Sequence, residues 1–408
     1  MTRNFAYSAI SAGSAALMVV LLTLAAGLLG QDQFGAFGYA ITAATIAEVF
    51  MDFGLHQITI RAVAQKPDRA GHLLQTSIWL KIAPGIAMVT LGTATVALLR
   101  QEPDVRLASF IMFLSAAMRS YLLTARGILQ GLERFADDAA VTIGDRVLLV
   151  GACSAALLAG AGLITLSLVF LAARVMSAGA ALLLARARAG HGQTDRAVAR
   201  AMVKDALPVG FFLLVLNLYN RIDTLMLGSM QGNQVTGRYV AAYTLYEGFT
   251  YAAAAVSAVL TPRLSSLWHQ DRAAYRRVLG RGLLATTGLA VLVGAVTWPL
   301  ASLVTAWLFP EYGSADVTLR LLLVGLPFIH VIWVLHAVAV SSHLTETLVR
   351  VTGVGIVINV GLNLWLIPRY AENGAAISTA ISEALVMLLL FVFLRQALGR
   401  SPDERPAR

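Results

Sequence analysis

The chain is short of charge, nearly without cysteine, and carries lysine at only three positions, 66, 81 and 204. Charged residues are 13% of the 408, against about a quarter in an average soluble domain, and this scarcity excludes a water-soluble fold of the same size. Too little polar surface would remain to cover the core. One cysteine, Cys153, set inside an apolar block, excludes a disulfide framework and a thiolate metal site. No G-x-x-x-x-G-K-[ST] pattern occurs, so no Walker-type nucleotide site drives whatever the chain does. No His/Asp-rich segment or metal-spaced cluster stands out, and catalytic and metal-ligating residues are expected to be absent.

What is there instead is hydrocarbon. Apolar residues form 58% of the chain, mean hydropathy is +0.73, and the apolar blocks run to roughly 20 residues, the length that crosses a bilayer as a helix. The pattern predicts an all-α membrane protein with about 12 spans, at about 5–29, 35–53, 77–99, 106–125, 140–159, 163–185, 207–228, 238–260, 283–308, 317–340, 349–367 and 375–396. The first block is longer than the apolar region of a signal peptide, so it reads as an uncleaved helix. A net charge of +9 would suggest nucleic acid in a soluble domain, but here the basic residues sit in short connections without interleaved aromatics. One set of connections carries 21 of them and the opposite set 5, which by the positive-inside rule predicts cytoplasmic amino and carboxyl termini. Outward connections such as 30–34 and 159–162 are too short for the external apparatus of a polymerase or a membrane glycosyltransferase.

The longest hydrophilic stretch, about 186–204, divides the helices six and six. The expected organisation is an N-lobe over 1–190, a cytoplasmic linker over 191–205, a C-lobe over 206–398 and a cytoplasmic tail over 399–408. Two six-helix halves with substrate between them are a familiar transporter plan.

Polar residues inside a span must face protein or water. At 100° per residue, Gly210, Asn217, Asn220, Arg221, Thr224 and Gly228 share one side of the seventh span. Tyr239, Tyr243, Tyr246, Thr250 and Ser257 share a stripe on the eighth, with Glu247 at its edge. Gly38, Thr45, Glu48 and Asp52 align on the second, and Asn359 and Asn363 on the eleventh. The chemical reading is a hydrated cleft. Arg221 can clamp a phosphate with its fork of donors, and Arg174 is a second intramembrane guanidinium that needs a reason. The tyrosines can stack on sugars, and Asn217 and Asn220 can read hydroxyls. Glu48, Asp52 and Glu247 are candidates for ion coupling. Structural readings stand beside these. Asn359 and Asn363 can simply join helices, and Tyr239 can belong to an aromatic belt. Asp145 with Arg146, and Arg221 with Asp223, can be internal ion pairs, while Lys81 and Arg119 can snorkel from span ends. His330 and His336 read as packing residues.

Several segments carry a family resemblance: Asp52-Phe53-Gly54-Leu55 through Arg61, Arg126-Gly127-Ile128-Leu129-Gln130-Gly131-Leu132-Glu133-Arg134-Phe135, Asp223-Thr224-Leu225-Met226-Leu227-Gly228 with Gly237-Arg238-Tyr239, and Gly374-Ala375-Ala376-Ile377-Ser378-Thr379-Ala380. In these the chain resembles the polysaccharide-exporter branch of the multidrug/oligosaccharidyl-lipid/polysaccharide (MOP) flippase superfamily, which contains the O-antigen flippases. The resemblance implies two six-helix bundles forming a V, a cavity lined by spans 1, 2, 7 and 8, and alternating access. It implies an undecaprenyl-diphosphate-linked glycan as substrate, a bacterial inner-membrane location, and work beside a polysaccharide polymerase or chain-length machinery in O-antigen, lipopolysaccharide or exopolysaccharide biosynthesis. Arg61 and Arg263 match basic exits of spans 2 and 8 that could receive the diphosphate. No cofactor is implied beyond coupling to a proton or sodium gradient. A cation-coupled multidrug antiporter of the sister branch is the alternative, an integral-membrane enzyme of envelope biosynthesis the third reading, and a scaffold without transport the last.

Overall fold

The computed structural model describes residues 16–399, His343 excepted. Residues 5–15 of the expected first span, Arg3, and nearly all of the expected tail lie outside the described residues.

Every described element is helical: α1 (Ala16–Asp52), α2 (Leu55–Gln65), a 3₁₀ turn (Pro67–Arg69), α3 (Ala70–Leu80), α4 (Ile82–Leu99), α5 (Pro103–Gly131), α6 (Phe135–Leu158), α7 (Leu163–Ala189), α8 (Arg196–Gln231), α9 (Asn233–Gln270), α10 (Arg272–Leu308), α11 (Ala315–Ser341) and α12 (Thr345–Gly399). Backbone polar groups closed within each helix are what a hydrocarbon solvent demands. Nine stretches of the described residues are long and apolar enough to cross a membrane, and two of them, Leu17–Gln65 and Thr345–Arg395, are long enough to cross twice. Each of these doubles has a break. Gly30 (φ 73°) separates spans 1 and 2 within α1, and Ala371 (φ 48°) separates spans 11 and 12 within α12. With α9 as the eighth span, the expected total of about 12 is met. Large apolar side chains such as Leu98, Leu183, Leu284 and Trp307 stand on the outer surface, where lipid is their solvent.

Two compact units result. The first holds the described chain through Arg221 together with Gly232–Gly237, and the second holds Ile222–Gln231 and the chain from Arg238 onward. In the first, α5 and α7 lie against each other, and both bury small residues (Ala116, Ser120 and Ala125 on α5; Ala173, Ser177 and Ala181 on α7) that let backbones approach where no hydrophobic effect drives association. A buried cluster of Leu55, Ile58, Val63, Leu73, Leu122, Ile128 and Met202 closes its basic end.

The hydrophilic stretch at 186–204 is largely helix, because α7 runs to Ala189 and α8 begins at Arg196. The residues between them lie along α3: His72 Nδ1 is 3.1 Å from the Gln193 amide, and Asp195 donates its amide to Thr76 Oγ1 at 3.3 Å. Asp195 also caps α8, accepting from the amides of Ala197 and Val198 at 2.8 and 3.2 Å.

Span 2 ends at Phe53 (φ 39°) and Gly54 (φ 81°), a left-handed pair that turns the chain into α2. The turn rests on α8 at Gly210, where an added Cβ would stand 2.3 Å from the Phe53 ring and 2.4 Å from its carbonyl oxygen. Gly210→Ala is therefore expected to destabilise the chain by ~1–3 kcal/mol through overpacking, read as a lowered thermal unfolding midpoint in detergent. An unchanged midpoint would mean that the turn can move away from α8.

Candidate functional site

A polar network runs through the first unit. It begins on span 2, whose stripe presents Glu48 and Asp52 one helical turn apart. Asp52 accepts from Lys81 Nζ at 2.6 Å, and the same ammonium donates to the Ser120 carbonyl at 2.7 Å. Lys81 reaches Asp52 because the third span breaks there: α3 ends at Leu80, α4 begins at Ile82, and the side chain between them turns inward. At 1% exposure it is a buried ion-pair member, so the snorkelling expectation is corrected. Arg119, one turn along α5 from Ser115, donates from Nε to Glu48 Oε1 at 2.9 Å and is likewise paired rather than snorkelling.

Asp145 and Arg174 form the tightest of these pairs, with Arg174 Nη1 2.6 and 2.5 Å from the two carboxylate oxygens and both side chains 3% exposed. The expectation that Asp145 pairs with its neighbour Arg146 is corrected. Successive residues on a helix point about 100° apart, so Asp145 turns toward α7 and Arg146 does not follow it. Arg146 is half-buried and has neither an ion pair nor a hydrogen bond among the described residues. It lies within electrostatic reach of Arg119, Arg174, Asp145 and Glu48. Among the described residues of this unit, Glu48, Asp52 and Asp145 are matched by Arg119, Lys81 and Arg174, and Arg146 is in none of these pairs.

At the basic end, the motif beginning at Arg126 has a structural use. Arg126 reaches Asp138 with two donors at 2.7 and 3.2 Å, Gln130 adds a third at 2.9 Å, and together they hold the first turn of α6 to α5. At the other end the buried Arg100 bonds Glu102 at 2.9 Å and lies over the Tyr39 ring. That hydrogen bond holds the Glu102 carboxyl below its ordinary range. Arg61 is exposed on α2, after the turn that ends span 2 and beyond the network.

In the second unit a different set of groups meets. Tyr239 is fully buried and donates its hydroxyl to Asp223, which also lies 3.2 Å from Thr379 Oγ1. Tyr246, also buried, lies 2.6 and 2.7 Å from the two oxygens of Glu383. Tyr243 stacks between them, its ring 5.6 Å from Tyr239 and 5.7 Å from Tyr246. The hydroxyls of Tyr239 and Tyr246 are thereby engaged with carboxylates, and Tyr239 sits inside the unit rather than in a surface belt. Asn359 and Asn363 are buried and bonded to each other at 2.8 Å, and Ser378 donates to the Asn359 carbonyl at 3.1 Å, which ties spans 11 and 12 together. His330 lies against the Thr286 carbonyl at 3.1 Å, a packing position as expected. Arg263 is exposed and Glu247 half-buried on α9; Arg221, half-buried on α8, closes the stretch of that helix that belongs to the first unit. Asn217 and Asn220 each donate to the carbonyl one turn back at 2.9 Å.

Two groups escaped nomination. Arg146 was visible as a charge within a span, but adjacency to Asp145 concealed it. Glu383 was visible as an acidic residue about midway through the last span, a position that is costly unless it serves something.

A chain of about 12 spans in two helical units, with ion pairs inside the first and, among its described residues, Arg146 outside those pairs, has the features of a membrane transporter. A family model described as "Polysaccharide biosynthesis protein" matches residues 1–268, and one described as "Lipid II flippase MurJ" matches residues 152–405. The chain belongs to the polysaccharide biosynthesis protein family, within the MOP flippase superfamily. It is 27% identical over 401 residues to the EPS I polysaccharide export inner membrane protein EpsE of Ralstonia solanacearum, covering 93% of this chain and 89% of that protein. A probable flippase, AglR of Haloferax volcanii, is 29% identical over 191 residues, 45% of this chain and 40% of that one. Among solved structures, Lipid II flippase MurJ in an inward closed conformation superposes with a TM-score of 0.79 at 16% identity, covering 96% of this chain and 87% of that one. The fold is shared.

Proposed function

We propose that this chain flips an undecaprenyl-diphosphate-linked oligosaccharide, an O-antigen or exopolysaccharide repeat unit, from the cytoplasmic to the periplasmic leaflet by alternating access. The single observation that carries the reading is Arg146. A guanidinium inside a membrane bundle costs at least ~3 kcal/mol unless something compensates it. Among the described residues of the first unit, Glu48, Asp52 and Asp145 each already have their own cation. The anion that completes the set is then brought by the substrate, and a diphosphate fits the bidentate donor fork of arginine.

The other candidate residues have roles of their own. Arg61 and Arg263, both exposed, receive the diphosphate at the cytoplasmic surface, and Arg221, Asn217, Asn220 and Tyr243 supply contacts to the glycan. Both termini lie in the cytoplasm of a bacterial inner membrane, and a polymerase consumes the delivered unit. The energy comes from an ion gradient. The antiporter alternative draws on Glu48, Asp52 and Glu247, and the first two of these stand against cations.

A deletion strain assayed for undecaprenyl-diphosphate-linked oligosaccharide, leaflet by leaflet, tests the reading. Accumulation on the cytoplasmic side, reversed by the wild-type chain, is the expected result. A normal leaflet distribution with every other flippase deleted would sink it.

A further inference from the structure

The interior carboxylates fall into two chemical kinds. Glu48, Asp52 and Asp145, together with Glu372 of span 12, each face a basic side chain within 2.5–2.9 Å. Glu383 faces none. It is 4% exposed, its only hydrogen-bond partner among the described residues is the Tyr246 hydroxyl, and no ammonium or guanidinium pairs with it. On its other side lies bare backbone, since a Cβ built on Gly325 of α11 would stand 2.3 Å from Glu383 Oε2. The carboxyl therefore occupies the space that a side chain at 325 would fill, walled in by glycine and a phenol.

Among the described residues, no neighbouring span pairs a basic side chain with Glu383. Span 8 contributes Tyr246, with the Tyr243 ring tilted against it at 5.7 Å between centroids. Span 7 contributes Asp223, within electrostatic reach and of the same sign. Span 10 contributes Gly325, while its His330 is turned to the Thr286 carbonyl in span 9. Span 11 contributes the neutral Asn359 and Asn363, and the flanking residues of span 12 are Ser378, Thr379 and Ser382. Arg238 is taken by Glu372 at 2.6 Å.

A buried carboxylate without a cation is expensive, and a neutral carboxyl is far cheaper. The Tyr246 contact serves both forms. When Glu383 is ionised the phenol donates to it; when it is protonated the carboxyl can donate to the phenol oxygen instead, because a tyrosine hydroxyl both gives and accepts. Changing protonation state then reverses the direction of one hydrogen bond and breaks none. That is the arrangement of a group built to load and unload a proton, not of a structural ion pair. Of the three coupling candidates, Glu48 and Asp52 lack this property, because losing either charge would strand the cation bonded to it; Glu247 is only half-buried on α9.

We propose that Glu383 is the proton-coupling residue of the transport cycle, taking up a proton at its carboxyl in one half of the cycle and releasing it in the other, with Tyr246 as its positioning partner. The role in transport rests on the flippase reading; the proton site itself does not. Two measurements on the full chain separate them. First, infrared difference spectra of the chain in nanodiscs on acidification should show a carboxyl C=O stretching band that Glu383→Gln lacks. Glu383→Asp, one methylene shorter, should keep the band but move the pH at which it appears, and this variant carries the test if the glutamine variant does not fold. Second, in liposomes holding polyprenyl-diphosphate-linked N-acetylglucosamine, an imposed pH gradient should change wild-type flipping several-fold, and Glu383→Gln should flip at a rate indifferent to it. A full-strength band in Glu383→Gln, an aspartate variant titrating as the wild type does, a gradient response equal to the wild type's, or a wild-type rate that follows sodium rather than pH overturns the proposal. Loss of the band in a chain that flips nothing would sink the flippase reading and leave the proton site standing.

Discussion

Arg146→Ala is expected to slow flipping about 30-fold or more while leaving the folded protein as stable as the wild type. Removing one member of a desolvated charge pair costs at least ~2 kcal/mol, and each ~1.4 kcal/mol is a factor of ten. The missing partner here is the substrate, so the loss falls on transport. Stability is spared because Arg146 has no ion pair or hydrogen bond to lose among the described residues, and the attraction of Asp145 and Glu48 that goes with it is set against the repulsion from Arg119 and Arg174. Arg146→Lys should recover part of the rate, since an ammonium keeps the charge but not the planar fork. The measurement is delivery of lipid-linked oligosaccharide to the outer leaflet, with a thermal unfolding scan on the same preparations. Wild-type flipping by the alanine variant would remove Arg146 from the substrate path and with it the main support for a diphosphate-bearing ligand.

Arg174→Ala should behave in the opposite way, unfolding the chain rather than disabling it selectively. Asp145 would be left as a buried carboxylate without its cation, at a cost of about 3–5 kcal/mol. Replacing both partners with apolar residues of similar size, Arg174→Met with Asp145→Leu, should return most of that stability, because the stranded charge goes with its partner. The comparison of interest is the double variant against each single one in denaturant or thermal unfolding. Single variants as stable as the wild type would mean that water reaches the pair and that its burial is incomplete. The contrast between Arg174 and Arg146, one cation matched and one not, is what separates a structural charge from a ligand-binding one inside a bilayer.

Some of this was open to reading in the sequence. The helical class, the number of crossings and the approximate span positions follow from hydropathy, which depends on local composition and so survives without knowledge of neighbours. The polar stripes on spans 2, 7 and 8 were legible because helical periodicity is also local. Elementary helix geometry could have gone further: adjacent residues do not face each other, so Asp145 and Arg146 were poor candidates for a pair from the start. The long hydrophilic stretch at 186–204 looked like a loop because charge resembles a linker, yet α8 begins within it at Arg196.

The sequence by itself determined that this chain is an all-α membrane protein of about 12 spans with polar residues gathered on a few helix faces, because the cost of placing each residue in hydrocarbon is paid residue by residue. Only the tertiary structure decided which charges cancel. Lys81 finds Asp52 across 29 positions and Tyr246 finds Glu383 across 137, and no local pattern encodes those meetings. Whether a buried charge is satisfied, stranded or titratable depends on what the neighbouring helices present within about 3 Å, and that is fixed by packing alone.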